Sequence, residues 1–267
     1  TNLEFLLGNC LRNNGRLSHL ALSTSSLTPL ASSVFQTPSP SEKGSGNNFL
    51  EKGTDSALGF LEDYAFVIEA LISCYEISLE EKYLHTANDL MKYVIAHFQD
   101  EKSGMFYFTS DTDKALISRK MELSDNVIPA SNSSIAKSLF MLGHHFGEEK
   151  HIQMSKKMLN NVLGEIEHYG AGYSNWAMLL LNFSTPFHEL AIVGKSVDEK
   201  RKILNKYYYP NKIFVGSASE SSLPLLLNRY KKDETFIYVC KNNPDGYRGC
   251  SAPVKEIEEA LKQMTIE

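Results

Sequence analysis

The chain has 267 residues, 27 Lys and Arg against 32 Asp and Glu, and a formal net charge of −5. That balance removes the electrostatic case for nucleic acid. No apolar run approaches the roughly 20 residues that cross a bilayer, so a membrane is not an expected partner either.

The opening stretch, TNLEFLLGNCLRNNGR, lacks the basic n-region and long apolar core of a signal peptide. Leu3, Leu6, Leu7, Cys10 and Leu11 make a helical stripe, and Asn13-Asn14-Gly15 supplies a left-handed cap. Residues 1–12 therefore read as the second helix of a hairpin whose first helix is missing, and the chain as a fragment of a longer repeat protein. Ser, Thr, Pro, Gly and Asn dominate residues 20–58, which are expected to form a mobile loop because they cannot bury much.

From Gly59 to Ile77 the chain reads GFLEDYAFVIEALISCYEI. Its only polar stripe is Glu62, Glu69, Ser73 and Glu76, which predicts a helix buried on several sides. The following stretch, Glu80 to Phe98, is apolar on one face, and Glu148 to Ile166 repeats it. Leu84, Leu90, Met91, Val94 and Ile95 match Ile152, Met158, Leu159, Val162 and Leu163. The second copy follows a helix predicted over about Ser131 to Phe146. Two hairpins, each an inner helix then an outer one, imply an array or toroid. A third inner helix begins near Tyr173.

The inner-to-outer links are tight, whereas the outer-to-inner links, about residues 13–58 and 99–130, are long. Long loops on a rigid scaffold, beside helix N-termini, are where a polar ligand is expected. In the second link, MFYFTS reads as a strand and ALISRKME as its hairpin partner. After Pro186 the period changes. HELAIVG, NKIFVG and TFIYVC are strand candidates, with helices over SVDEKRKILNKYY and PVKEIEEALKQM. The expected organisation is thus a helical-hairpin region over 1–185 and a small α/β extension over 186–267.

Candidate functional residues cluster on the long-link rim. Glu62 and Asp63 open the first inner helix, either as acids satisfying its free N–H groups or as a general acid or base at a toroid mouth. Arg119, Glu122, Asp125 and Asn132 lie just before or at the start of the second inner helix. With Tyr107 and Trp176 as apolar walls, they would suit a polyhydroxylated ligand. Asp63 and Asp125 are the expected acid/base pair; capping by Asn132 is the local alternative. The adjacent His144 and His145 point to different sides of a helix and read as structural, so no metal or other cofactor is expected. Four scattered cysteines do not make a disulfide scaffold. Cys240 and Cys250 read as free thiols beside a strand, with a redox pair as the alternative. A reduced, cytoplasmic protein is the expectation.

Several strings together, GFLEDYAFVIEAL, FYFTSDTDKALISRKMELSDNVIPASNSSIAKSLFMLG, NKIFV, SSLPLL and TFIYVC, resemble the C-terminal part of the thioredoxin-domain family that includes spermatogenesis-associated proteins. The resemblance implies an (α/α)6 toroid similar to N-acylglucosamine epimerases and six-hairpin glycosidases. Its thioredoxin-like domain and first toroid half would be missing partners of this chain. Where the family has a lysine-glutamate pair, this chain has Met121-Glu122. Where it has a Pro-Ser-Gly/Ser-Asn-Ser run, this chain has Pro129-Ala130-Ser131-Asn132-Ser133. The family's tail cysteines are closer together than Cys240 and Cys250. The implied function is carbohydrate-active: a sugar isomerase, epimerase or glycoside hydrolase. The alternative is a non-catalytic binding or redox-linked scaffold serving the thioredoxin-like domain. An opened toroid is also expected to self-associate through its unpaired hairpin faces.

Overall fold

The computed structural model describes residues 59–113 and 118–264, together with positions 4, 7, 11 and 15–18. Apart from those positions, the helix expected at 1–12 and the loop expected at 20–58 lie outside the described residues. The chain divides into Thr1–Gly59 and Phe60–Glu267. The second unit carries the hairpins and the sheet.

Helix α1 (Leu61–Ser78) buries Leu61, Tyr64, Ala65, Ile68, Leu71, Ile72 and Tyr75. Helix α2 (Glu81–Phe98) buries a single face of Tyr83, Leu84, Ala87, Leu90, Met91, Val94 and Phe98. The second hairpin repeats this division. Helix α3 (Ser131–Phe146) is buried along nearly all of its length, and α4 (Glu149–Asn160) only through His151, Ile152, Ser155, Met158 and Leu159. Helix α1 packs on both α2 and α3, α3 packs on α4, and a third inner helix, α6 (Ser174–Ser184), packs on α3. The fold is mainly α, an arc of an α/α toroid with inner helices α1, α3 and α6 and outer helices α2 and α4.

The repeat extends to the turns. The first two inner helices, α1 and α3, each end in a left-handed residue, Leu79 at φ 61° and Gly147 at φ 63°, whose N–H returns to Tyr75 O and Gly143 O respectively. A glutamate and the outer helix then follow. Leucine in that conformation costs about 1–2 kcal/mol; here its side chain packs against the apolar cluster of the sheet. Gly143 lets α3 and α4 approach closely, since a Cβ there would meet Ile152 Cγ1 at 2.6 Å and Ile152 N at 3.1 Å.

The second outer helix stops earlier than the repeat predicts. It breaks at Asn161, whose side-chain amide donates to Ser103 O at 3.0 Å, and resumes as the short α5 (Leu163–His168). The expected strand MFYFTS is not formed. Asn132 takes both main-chain groups of Phe106, accepting from its N–H at 2.8 Å and donating to its C=O at 2.9 Å. Among the described residues, one backbone bond, Phe108 N–H to Lys120 O at 2.7 Å, joins the two expected halves. Residues 114–117 of the second half are outside the described residues.

Among the described residues, one four-stranded sheet follows the helices: β1 (Phe187–Val193), β2 (Lys212–Ser217), β3 (Phe236–Asn242) and β4 (Arg248–Cys250), in the order β2-β1-β3-β4. Strand β1 runs parallel to β2 and antiparallel to β3. One face buries Leu190, Ile192, Phe214, Ile237 and Val239 under α7 (Val197–Leu204) and α8 (Ile257–Met264). The other meets the C-terminal ends of the inner helices. Gly216 N donates to the Tyr75 hydroxyl at 3.3 Å, and the Phe187 ring lies 4.7 Å from those of Phe140 and His144. The tail cysteines are not the free thiols expected from the sequence. Cys240 and Cys250 are register partners across β3 and β4 and form a disulfide. The intervening Pro244-Asp245-Gly246 is a turn, with Gly246 at φ 92°, so a separation of ten residues brings the two side chains together.

Candidate functional site

Among the rim residues picked from sequence, Glu122, Asp125 and Asn132 hold the 99–130 link to the start of α3. Asp63 reaches back to Phe60 N–H at 2.8 Å, as a residue in the first turn of a helix does. Asp125 is buried. Its Oδ1 accepts from Ala130 N–H at 2.9 Å and from the Ser133 hydroxyl at 2.7 Å, and its Oδ2 accepts from Asn175 N–H at 2.8 Å. One carboxylate therefore joins the link, the start of α3 and the start of α6. Glu122 accepts from Ser131 N–H at 2.9 Å, stabilising the first turn of α3. Asn132 is fully buried and also donates to Glu122 O.

Arg119 and Tyr107 are together, the guanidinium 4.2 Å above the ring, and Arg119 donates to the carbonyls of Thr109 and His97. Trp176 is fully buried and donates its indole N–H to Leu123 O at 2.8 Å. His144 is bonded to Glu189 at 2.6 Å. His145 is fully buried and edge-on to the Tyr75 ring, and burial pushes its pKa down to about 3.

A second arrangement was not assigned a function from the residues. A cleft of about 530 Å³ opens between α1, α3 and α6 and the segment before β2. Helix α1 contributes Glu69, Ser73 and Glu76, three of the four members of its polar stripe. Glu62, the fourth, continues the line two turns toward the rim. Lys137 of α3 lies 3.4 Å from Glu69 and donates to Asn175 Oδ1 at 2.8 Å. Burial pushes the Glu76 carboxyl up, partly offset by the Phe214 N–H that it accepts at 3.3 Å and by nearby Lys212. Burial likewise pushes Lys212 down. The apolar part of the lining includes the exposed Met178, Leu181 and Tyr208. A polar stripe on an otherwise apolar helix was the available signal. Lys137, the one charged residue between Ser131 and Gly143, was its counterpart on α3.

No family model matches the chain. It is 26% identical over 226 residues to spermatogenesis-associated protein 20 of Homo sapiens and 26% identical over 226 residues to that of Rattus norvegicus. It is 25% identical over 222 residues to an uncharacterized protein of Caenorhabditis elegans. These alignments take in 80% of the chain but only 28% or 29% of each of those proteins. The likeness agrees with the thioredoxin-domain family resemblance at the level of a shared region. No helix among the described residues is long and apolar enough to cross a membrane.

Proposed function

We propose that the arc supplies one wall of a binding site for a polyhydroxylated ligand of the carbohydrate class, and that the ligand occupies the concave cleft. The observation carrying this reading is the cleft lining, in which Glu69, Glu76, Lys137 and Lys212 face one another beside exposed Met178, Leu181 and Tyr208. Carboxylates and ammonium groups orient hydroxyls, and apolar side chains cover the C–H face of a sugar ring. In this reading Glu62 extends the ligand-contacting line, and Glu76 is the acid/base group, because burial raises its pKa above the ordinary carboxylate value and so favours the proton-carrying form. Asp63 and Asp125, the acid/base pair expected from sequence, support the site from the rim. Asp125 already accepts three hydrogen bonds and is buried.

Calorimetric titration with monosaccharides, amino sugars and short oligosaccharides tests the proposal, paired with NMR detection of epimerisation, isomerisation or hydrolysis. Binding that is lost in Lys137→Met and Glu69→Gln is the expected outcome. Binding without turnover would favour the non-catalytic reading. Binding that survives both substitutions but is lost in Asp125→Asn, with the fold intact, would return the site to the rim.

A further inference from the structure

The sheet carries another constellation, sharing no lining residue with the concave cleft. Register places Glu189 of β1 opposite Cys240 of β3, and Cys240 opposite Cys250 of β4. Directly opposed residues project from the same face, so a carboxylate and two sulfurs form one row across three strands. The row grades from inside to outside. Cys240 is 3% exposed, whereas Cys250 is at the surface. At the inner end, Glu189 Oε1 is bonded to His144 Nδ1 at 2.6 Å, and both side chains are largely buried. At the outer end, Arg229 Nη2 lies 3.5 Å from Cys250 Sγ and 3.9 Å from Cys240 Sγ. Its guanidinium is held 4.4 Å over the Tyr238 ring. A cleft of about 300 Å³ opens on both cysteines and on His144 and Glu189.

A cross-link that only stapled the hairpin would need neither a cation on its exposed sulfur nor a proton-holding pair beside its buried one. We propose that Cys240–Cys250 is a thiol–disulfide exchange site whose substrate is a dithiol. A substrate thiolate attacks the exposed Cys250 Sγ. The bond to Cys240 breaks, its electron pair goes to Cys240 Sγ, and that sulfur takes up one proton through the His144–Glu189 pair. The second substrate thiolate then attacks the substrate sulfur of the mixed disulfide. The substrate leaves as a disulfide, and Cys250 is released as a thiolate beside Arg229. Two electrons pass from substrate to protein; one proton rests on Cys240 and the other goes to solvent. Cys250 is the attacked residue, Arg229 stabilises its thiolate, and Glu189 and His144 position the proton at the buried sulfur.

The test uses the intact chain with reduced and oxidised dithiothreitol as the probe pair, followed by maleimide trapping and mass spectrometry. The expected result is full, reversible interconversion of the two thiols and the disulfide, with the far-UV circular dichroism unchanged. Arg229→Gln should slow reoxidation of the reduced protein about threefold, because a rise of one pKa unit cuts thiolate content about tenfold while the more basic thiolate attacks about threefold faster. Arg229→Lys, which keeps the charge, should recover most of the rate. Glu189→Gln should slow the same step with the fold retained. A disulfide that resists reduction until urea unfolds the chain would overturn the proposal. So would exchange at the parental rate in folded Arg229→Gln.

Discussion

The rim and the concave cleft hold similar residue types and use them differently. On the rim, Asp125 accepts three hydrogen bonds and Asn132 makes three, all within the chain and mostly to main-chain groups. In the cleft, Glu69 and Lys137 meet each other at 3.4 Å, and Glu76 accepts one long bond while burial raises its pKa. Polar groups that satisfy buried main chain hold a fold together, because leaving such groups unpaired is costly. Charges kept near an opening at some cost are the better candidates for a ligand. A helix N-terminus with carboxylates around it marks both cases alike in sequence.

The largest test of that contrast is Asp125→Ala. It strands three buried donors and should cost about 3–5 kcal/mol, read as a lower midpoint in chemical denaturation. Asn132→Ala should cost about 2–3 kcal/mol by the same measurement, since the Phe106 N–H and C=O lose their partners. A loss below about 1 kcal/mol in either would break the comparison, because the rim would then not be structural.

His145, at the sheet end of α3, adds a pH dependence. Its folded pKa of about 3 lies below the unfolded value near 6.5, so the unfolded chain binds more protons between those limits. Stability should fall as the pH drops through 6.5, by up to about 1.4 kcal/mol per pH unit from this residue, until about pH 3. His151 and His188, also pushed down by burial, act in the same direction. Denaturation midpoints of His145→Phe between pH 4 and 7 should show a shallower slope than the parent; an equal slope would remove His145 as a contributor.

Cleft substitutions should change stability least, and one should change it in the opposite sense. Glu76 binds its proton more tightly folded than unfolded. It therefore detracts from stability once the pH exceeds the unfolded pKa, increasingly up to the folded one. Glu76→Gln should leave the protein as stable as the parent or more so at pH 7, by thermal denaturation, and weaken the proposed ligand binding. Lys137→Met should stay within about 0.5 kcal/mol of the parent, as expected for a partly exposed ion pair. A large loss in either would place the cleft charges with the rim, as parts of the scaffold.

The hairpins, the inner and outer assignment of their helices, the third inner helix and strands β1, β2 and β3 were legible in the chain, whereas the short β4 was not. Each legible element depends on a local period that burial imposes on consecutive residues. The turns were legible for the same reason, since Leu79 and Gly147 occupy equivalent positions in the repeat. The break at Asn161 was not, because it depends on Ser103, far away in sequence. The lost strand at MFYFTS had the right composition, but Asn132, 26 residues beyond Phe106, occupies the groups a ladder would have used.

By itself the sequence determined a mainly α arc of helical hairpins with an α/β extension, because side-chain periodicity within one element reports which face is buried. Only the tertiary structure decided which polar residues hold the fold and which line an opening. It also decided that Cys240 meets Cys250 and that Glu189 and His144 lie beside them. Those outcomes depend on register and on which ends of distant helices the sheet meets. A hydrogen bond or a disulfide between such elements has no periodic signature in the chain, because its partners are chosen by packing rather than by spacing.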